Sequence, residues 1–306
     1  MTPDAHTIQE TFLEVGDGHT LYVHDWGNRA AKTPIITLHG GPGSQARDSH
    51  KRLYDPARQR VIFFDQRGCG RSLPYGSLEH NTTQQLIEDI SKIADHLKIK
   101  QFILAGGSWG SCLALAYALE HPERVAAMAL NGIFTGSQAE IDWLDGGLFR
   151  TFYPDVWDRY LAATPKAHHK DPGAYHYQRV MGGDPDAARE SGHAYETLEG
   201  SVLALDDRFM PSDLATYDPS GIRIEMHYMQ KRCFMPDRHI LDSAHRLTMP
   251  IWLVQGRYDM VCPPAAAYEL HQKLPNGELV LTTSGHRPEH ETSSVLRTVL
   301  LQLSQA

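Results

Sequence analysis

Short apolar runs recur towards both ends of the chain, and each is followed by a polar or glycine-rich stretch. Because these runs are continuous rather than alternating, they are typical of strands buried on both faces of a parallel sheet. Helical patterns lie between them, and alternating strands and helices favour a doubly wound α/β architecture. The predicted strands are 34–41, 61–68, 102–108, 127–133, 250–256 and 278–285, and the predicted helices are 83–97, 111–122, 265–274 and 294–303.

Two segments depart from this rhythm. Residues 10–26 contain two extended runs joined by a Gly-Asp-Gly turn at 16–18, which predicts a hairpin. Residues 134–246 are rich in tyrosine and histidine and carry turn signals, but no clear sheet strand. We therefore predict a core formed by 1–133 and 247–306, with 134–246 inserted as a helical cap.

Composition narrows the possible partners. The chain has 306 residues, and its 29 basic and 37 acidic residues give a formal net charge of −8. This balance provides no electrostatic footprint for nucleic acid or an anionic membrane. The four cysteines form no CxxC pair, which disfavours disulfides and thiolate zinc sites. With no signal-peptide pattern and no apolar run of about 20 residues, we expect a cytoplasmic protein without nucleic-acid or membrane partners.

The strongest chemical signal is the sequence GGSWG at 106–110, a G-x-S-x-G pattern between an apolar strand and an Ala/Leu-rich helix. A serine in this position lies on a sharp strand-to-helix turn with its hydroxyl exposed at the start of the helix. The pattern alone also fits an ordinary glycine-rich loop. The strand–turn–helix setting favours Ser108 as a nucleophile.

A serine hydroxyl needs a base, and the base needs a third group to orient it. In enzymes with this serine motif, an acidic residue and then a histidine follow the serine along the chain. Asp259 and His286 each follow a predicted strand, in that order. Because carboxyl ends of parallel strands share one edge of a sheet, we expect Ser108, Asp259 and His286 to converge as a catalytic triad.

Acyl transfer also needs hydrogen-bond donors for the oxyanion. The amide of Trp109, directly after the nucleophile, is one candidate. The sequence HGGPG at 39–43 follows an earlier strand, and its glycines allow close approach of backbone amides to a substrate. We expect the second donor to be the amide of Gly41, with Gly40 as the alternative.

Two other patterns offer competing chemistry. The sequence HRPEH at 286–290 matches the H-x-x-E-H pattern of some zinc peptidases, but Pro288 interrupts the helix which that site needs. Asp65 could act as a nucleophile, as in hydrolases of epoxides or haloalkanes, but Ser108 occupies the elbow. We therefore expect neither a metal nor a cofactor.

With these residues assembled, the chain resembles the proline iminopeptidases, prolyl aminopeptidases of the α/β-hydrolase class. The resemblance implies the α/β-hydrolase fold, with a mostly parallel doubly wound sheet and an inserted helical cap. It also implies a serine aminopeptidase that releases an N-terminal residue, preferably proline, from short peptides through an acyl-enzyme. The matching stretches are HGGPG (39–43), DQRGCGRS (65–72), GGSWGSCLALAYALEHPERV (106–125), QGRYDMVCP (255–263) and SGH (284–286).

The resemblance also assigns roles to individual residues. Asp65 and Arg67 are implied to brace the loops around the site. Glu199, in LEG, and Glu225, in RIEMHY, match two cap glutamates that bind the free α-ammonium of the substrate. Such an anchor selects a charged N-terminus at a fixed distance from the nucleophile. Without the resemblance, both glutamates would be interpreted as surface residues.

The implied proline pocket departs from the family pattern. Phe134 matches a pocket aromatic, but Tyr195 and Leu198 stand where tryptophan is usual and Met229 where phenylalanine is usual. These exchanges change the shape of the pocket and soften it. They leave open a broader hydrolase of small amino-acid amides or esters with a free N-terminus. A non-catalytic ligand-binding member of the fold is a second alternative, against which the complete triad argues.

Overall fold

The computed structural model describes residues 9–205 and 209–305. The strands are β1 (Gln9–Gly16), β2 (His19–Gly27), β3 (Ile35–Leu38), β4 (Arg60–Phe64), β5 (Phe102–Ser108), β6 (Val125–Ile133), β7 (Ile251–Gly256) and β8 (Gly277–Thr282). They form one eight-stranded sheet in the order β1-β2-β4-β3-β5-β6-β7-β8. Strand β2 is antiparallel to both of its neighbours, β1 and β4. The remaining strands, in the sheet order β4-β3-β5-β6-β7-β8, all run parallel to one another.

Helices connect and cover these strands. They are α1 (Thr83–His96), α2 (Trp109–Glu120), α3 (Gln138–Asp145), α4 (Pro154–Ala162), α5 (Pro172–Met181), α6 (Pro185–Gly200), α7 (Ser220–Gln230), α8 (His239–Ser243), α9 (Pro264–Lys273) and α10 (His290–Gln305). The four helices predicted between or after the strands correspond to α1, α2, α9 and α10. Within 9–205 and 209–305, no helix combines the length and apolar character that crossing a bilayer requires.

Alternate side chains of the central strand β5 face opposite layers, as the two-residue period of a strand dictates. Phe102 and Leu104 pack in the apolar cluster that contains α1 and α2. Ile103 and Ala105 pack in a second cluster with α10. Helices therefore cover both faces of the sheet, which confirms the predicted doubly wound α/β architecture. The carboxyl ends of the parallel strands meet at one edge.

The predicted N-terminal hairpin is present. Strands β1 and β2 pair antiparallel, and Gly16, Asp17 and Gly18 have φ angles of 89°, 54° and 75°. Positive φ angles at consecutive turn residues match the twist of tight hairpins, which explains the Gly-Asp-Gly sequence.

The chain between β6 and β7 is helical. Helices α3 to α8 occupy it, and none of its described residues lies in a strand. This agrees with the helical character predicted for 134–246, called the helical segment below. Its assignment as a domain separate from 1–133 and 247–306 stays a prediction.

Buried charges hold the loop that follows β4. Nε of Arg67 lies 2.7 Å from Oδ2 of Asp89, and neither side chain has exposed surface. Asp65 accepts hydrogen bonds from the amide of Ala46 at 2.7 Å and from Nε of Arg71 at 2.8 Å. Asp65 and Arg67 thus brace the loops beside β4, which is the structural role that the resemblance implies.

Candidate active site

Ser108 ends strand β5 and immediately precedes helix α2. Its φ and ψ angles are 57° and −129°, a strained conformation for a residue with a side chain. A Cβ on Gly106 would lie 2.4 Å from the carbonyl oxygen of Gly110, and a Cβ on Gly110 would lie 2.1 Å from that of Leu38. The two flanking glycines are therefore required by close backbone approach. This is the strand–turn–helix geometry of a nucleophile elbow.

His286 and Asp259 are hydrogen-bonded to each other. Nδ1 of His286 lies 2.8 Å from Oδ2 of Asp259, and their side chains are 10% and 0% exposed. Oδ1 of Asp259 accepts from the amides of Val261 at 2.9 Å and Cys262 at 2.7 Å. Nε2 of Gln255 donates to Oδ2 at 3.1 Å. Four donors thus fix the carboxylate that orients the imidazole.

The pKa of His286 reflects two opposing effects. Burial disfavours the charged imidazolium, but the charge and hydrogen bond of Asp259, with a smaller contribution from Glu199, raise the pKa above its ordinary value. Because Nδ1 faces Asp259, Nε2 is the ring nitrogen left to act as a base.

Ser108 and His286 both lie beside the end of β6. Ser108 pairs with Ile133 in the sheet, and a Cβ on the neighbouring Gly132 would lie 3.0 Å from Cε1 of His286. Both side chains belong to the described residues, and no hydrogen bond joins them. In ligand-free enzymes, catalytic hydrogen bonds are often long and shorten only when substrate binds. The complete triad therefore stays a prediction.

The HGGPG loop (39–43) packs against the elbow. A Cβ on Gly40 would lie 3.3 Å from Cβ of Ser108, and Gly41 lines the same cavity as Ser108. The indole of Trp109 donates to Oε1 of Gln66 at 2.9 Å, and the Gln66 amide in turn donates to the carbonyl of His39. These bonds connect the two loops that carry the predicted oxyanion donors, the amides of Gly41 and Trp109.

Ser108 opens into a cavity between the sheet edge and the helical segment. The predicted substrate residues Phe134, Glu199 and Glu225 all line this cavity. Glu199 comes from α6 and Glu225 from α7, so two helices bring the two carboxylates over the elbow. The structure therefore brings together the residues that the resemblance implies.

Neither glutamate forms an ion pair with a side chain that the structure describes. Glu225 is 4% exposed, and no ion pair involving Glu199 or Glu225 occurs among the described residues. Burial raises the pKa of Glu225 well above its usual range, and repulsion by Glu199 and Asp145 adds to this. Burial also raises the pKa of Glu199, although His286 partly opposes the shift. The cavity is thus suited to a ligand that carries positive charge.

Sequence reasoning missed several residues of this site. Asp145, at the end of α3, lines the cavity, and Tyr195 donates a hydrogen bond to it at 2.8 Å. Gln255 orients Asp259, and Gly132 leaves room for the ring of His286. Gln255 lies in the matched stretch at 255–263, where its position at a strand end was an available signal. Nothing in the sequence around Asp145 indicates its position at the cavity.

Comparisons with known proteins agree with this geometry. A family model described as the alpha/beta hydrolase fold matches residues 33–288. The probable proline iminopeptidase of Leptolyngbya boryana is 37% identical over 93% of this chain and 90% of its own. The proline iminopeptidase of Arabidopsis thaliana is 38% identical over 90% of this chain and 74% of its own. This chain belongs to the proline iminopeptidase family.

Solved structures of other proteins have the same fold as this chain. The proline iminopeptidase of Mycobacterium smegmatis has a TM-score of 0.64 at 20% identity and covers 97% of each chain. MGS-M2, an α/β-hydrolase enzyme from a deep-sea metagenome, has a TM-score of 0.65 at 16% identity, over 97% of this chain and 96% of its own. At such identities the likeness concerns the fold alone, and it confirms the α/β-hydrolase fold.

Three positions depart from the proline iminopeptidase pattern, and they do not all line the same cavity. Tyr195 and Met229 line the Ser108 cavity. Leu198 is buried but lines a second cavity, between α4, α5 and α6. Because successive residues of a helix are rotated by about 100°, Leu198 and Glu199 point in different directions. The expectation that Leu198 helps to form the proline pocket is therefore corrected, and Met229 is the softer pocket residue.

Proposed function

We propose that this chain is a serine aminopeptidase that releases the N-terminal residue, preferably proline, from short peptides with a free N-terminus. One observation carries the proposal: a single cavity is lined by Ser108, by the buried Glu225 and by the half-buried Glu199, and neither glutamate forms an ion pair among the described residues. A ligand in this cavity meets both the nucleophile and the two glutamate carboxyl groups. An unblocked N-terminal residue has the matching features, since its carbonyl lies two bonds from its ammonium.

In the proposed reaction, Oγ of Ser108 attacks the carbonyl carbon of the first residue while Nε2 of His286 takes the hydroxyl proton. Asp259 orients the ring and stabilises the imidazolium. The oxyanion accepts hydrogen bonds from the amides of Gly41 and Trp109. His286 then gives its proton to the leaving amine as the peptide bond breaks.

Hydrolysis of the acyl-enzyme follows the same steps with water as the nucleophile. His286 removes a proton from water, the water oxygen attacks the ester carbonyl, and the proton returns to Oγ of Ser108. The products are the free amino acid and the shortened peptide. Side chains, backbone amides and water supply every group that these steps require.

Glu199 and Glu225 act on substrate selection. Charge-assisted hydrogen bonds are stronger than neutral ones, and they hold the α-ammonium while the carbonyl lies at Ser108. When a substrate fills the cavity, the carboxylates lose contact with water. A blocked or internal residue has no ammonium to compensate for that loss. The enzyme therefore acts on the end of the chain and not within it.

Preference for proline is supported by the apolar part of the same cavity. Phe134, Met229 and Val261 line it beside the nucleophile. The flexible Met229, which stands where the family usually has phenylalanine, also favours a second candidate, a broader hydrolase of small amino-acid amides or esters. The four cysteines are free and buried, which fits the reducing cytoplasm that we propose as its location.

A kinetic panel with labelling tests the proposal. A fluorophosphonate should label the wild-type protein and not the Ser108→Ala variant. Proline arylamide should be cleaved, and its N-acetyl form should lose about a hundredfold in kcat/KM because the carboxylates then lack a partner. Equal cleavage of both forms would contradict the anchor. Alanine and phenylalanine arylamides cleaved as fast as proline arylamide would favour the second candidate.

A further inference from the structure

The Ser108 cavity contains a third carboxylate that the proposed reaction does not use. Asp145 ends helix α3, and Ile141 and Leu144 line the cavity from the same helix. Residues three and four apart share one helix face, so Asp145 continues the face that Ile141 and Leu144 form, and Glu140 borders the same cavity. A carboxylate there has no role in holding a proline ring, which is apolar apart from its nitrogen.

Tyr195 fixes where this carboxylate lies relative to the ammonium anchor. The hydroxyl of Tyr195 donates to Oδ1 of Asp145 at 2.8 Å, and Tyr195 is 3% exposed. Tyr195 lies four residues before Glu199 on α6, one helical turn away on the same face. Tyr195 and Glu199 therefore line the cavity from neighbouring turns of one helix face, and the hydrogen bond of Tyr195 ties Asp145 to that face.

Hydrogen bonding within the protein leaves Asp145 available. Both oxygens of Glu140, which also lines the cavity, already accept hydrogen bonds: Oε1 from the amide of Thr135, and Oε2 from the amides and hydroxyls of Thr135 and Ser137. Asp145 has a single hydrogen bond among the described residues, from Tyr195, and no ion pair there. Its Oδ2 accepts none of these bonds and is thus left for a ligand, whereas both oxygens of Glu140 already accept.

Carboxyl groups outnumber the single α-ammonium that a proline substrate brings to this cavity. Glu225 is buried and has no hydrogen-bond or ion-pair partner among the described residues, so a cation supplied by a ligand stabilises its ionised form. Glu199 and Asp145 line the same cavity. Burial raises the pKa of Asp145 to about 6, and the hydrogen bond from Tyr195 opposes the shift. A ligand with two positive charges matches this cavity better than a ligand with one.

We propose that Asp145 and Tyr195 form a second cation subsite, which makes the enzyme accept N-terminal residues whose short side chain ends in an ammonium. Ornithine and 2,4-diaminobutyrate have this chemistry. Their α-ammonium binds Glu199 and Glu225, their apolar methylenes lie along Ile141 and Leu144, and their terminal ammonium donates to Oδ2 of Asp145. The assignment rests on the proposed aminopeptidase function and names a substrate class for the same site.

The test compares ornithine arylamide with norvaline arylamide, since norvaline has the same three side-chain carbons without the terminal amine. In the wild-type protein, kcat/KM for ornithine should exceed that for norvaline by about tenfold or more, the strength of a charged hydrogen bond. In Asp145→Asn, which keeps an acceptor for Tyr195, the ratio should fall to near one. Asp142→Asn is the matched control, because Asp142 is exposed on the same helix, and its ratio should equal that of the wild type.

The outcomes separate this inference from the function on which it rests. A wild-type ratio near one, with proline and alanine arylamides cleaved, overturns the second subsite and leaves the aminopeptidase standing. An ornithine preference that survives in Asp145→Asn overturns the role of Asp145. Loss of cleavage of every unblocked arylamide overturns both. The comparison of ornithine with norvaline in the wild-type protein needs no variant. It therefore tests the second subsite even where Asp145→Asn fails to fold.

Discussion

Nδ1 of His286 lies 2.8 Å from Oδ2 of Asp259, and Asp259 has no exposed side-chain surface. The carboxylate therefore holds the ring in one tautomer, with the proton on Nδ1 and the lone pair on Nε2. Since Nε2 is the atom that must take the proton of Ser108, this one contact controls both the orientation and the protonation of the proposed base.

Replacing Asp259 by asparagine should abolish most of the activity while leaving the fold intact. The amide oxygen of asparagine can still accept from the backbone of Val261 and Cys262, but its NH₂ group favours the wrong tautomer of His286. We expect kcat for proline arylamide to fall by about 10⁴-fold, as in other serine triads, with a smaller change in KM. Retention of a tenth of the activity in a folded Asp259→Asn variant would remove Asp259 from the triad.

The pH dependence should show the raised pKa of His286. The base acts in its neutral form, so activity is lost as the pH falls through the pKa of the imidazole. Because Asp259 and Glu199 outweigh burial and the opposing charge of Arg287, this acidic limb should lie above the ordinary value of about 6.5. The profile of kcat/KM for a neutral small ester reports it without titration of the substrate.

Glu199→Gln provides the control for that profile. It removes a charge that raises the pKa of His286, and the acidic limb should move to lower pH. A neutral ester keeps this shift separate from any loss of ammonium binding. An acidic limb at or below 6.5 in the wild type, or one that Glu199→Gln moves upwards, would contradict the assigned electrostatics.

Glu199→Gln should also separate substrate anchoring from chemistry. The variant keeps the size of the side chain but loses the charge that pairs with the α-ammonium. We expect kcat/KM for proline arylamide to fall by about tenfold to a hundredfold, mainly through KM, because a hydrogen bond to a charged group is lost. Glu190→Gln, on the exposed part of the same helix, is the matched control and should retain wild-type kinetics. Equal losses for neutral esters and proline arylamide would argue for a structural role of Glu199.

The sequence predicted the parts of this site that depend on local structure. The elbow at Ser108 follows from a strand, a turn with two glycines and a helix, all within a few residues. Asp259 and His286 could be predicted because each comes after a strand, and the carboxyl ends of parallel strands lie at the same edge of the sheet. Glu199 and Glu225 were found through the family resemblance alone, since no local pattern distinguishes them from other helical glutamates.

What the sequence did not reveal depends on how the helical segment packs. The direction in which Asp145 points is set by the rotation of α3 against α6, which no pattern near residue 145 encodes. Leu198 is a second example of a side-chain direction that the sequence does not encode. It lines the second cavity, whereas the next residue, Glu199, lines the Ser108 cavity. A rotation error of about 100° corresponds to one residue on a helix.

The buried pair of Arg67 and Asp89 should dominate the stability of the loop after β4. Arg67→Met removes the cation and leaves a carboxylate without exposed surface. Breaking a buried pair in this way costs about 3–5 kcal/mol, because the remaining charge has lost its compensation. The free energy of unfolding from urea titration measures it. The double variant Arg67→Met/Asp89→Leu should recover most of the loss, since it buries no charge.

The loss in Arg67→Met should also depend on pH. Burial holds the pKa of Asp89 above its ordinary value even beside Arg67, and removing the cation raises it further. A carboxyl group with a raised pKa in the folded state binds its proton more readily there than in the unfolded chain, so stability falls as the pH rises above the unfolded value of about 3.9. The penalty of Arg67→Met should therefore be smaller at pH near 5 than at pH near 8. An equal penalty at both would mean that the arginine stabilises the loop through its hydrogen bonds to His80 and Asp17 rather than by neutralising Asp89.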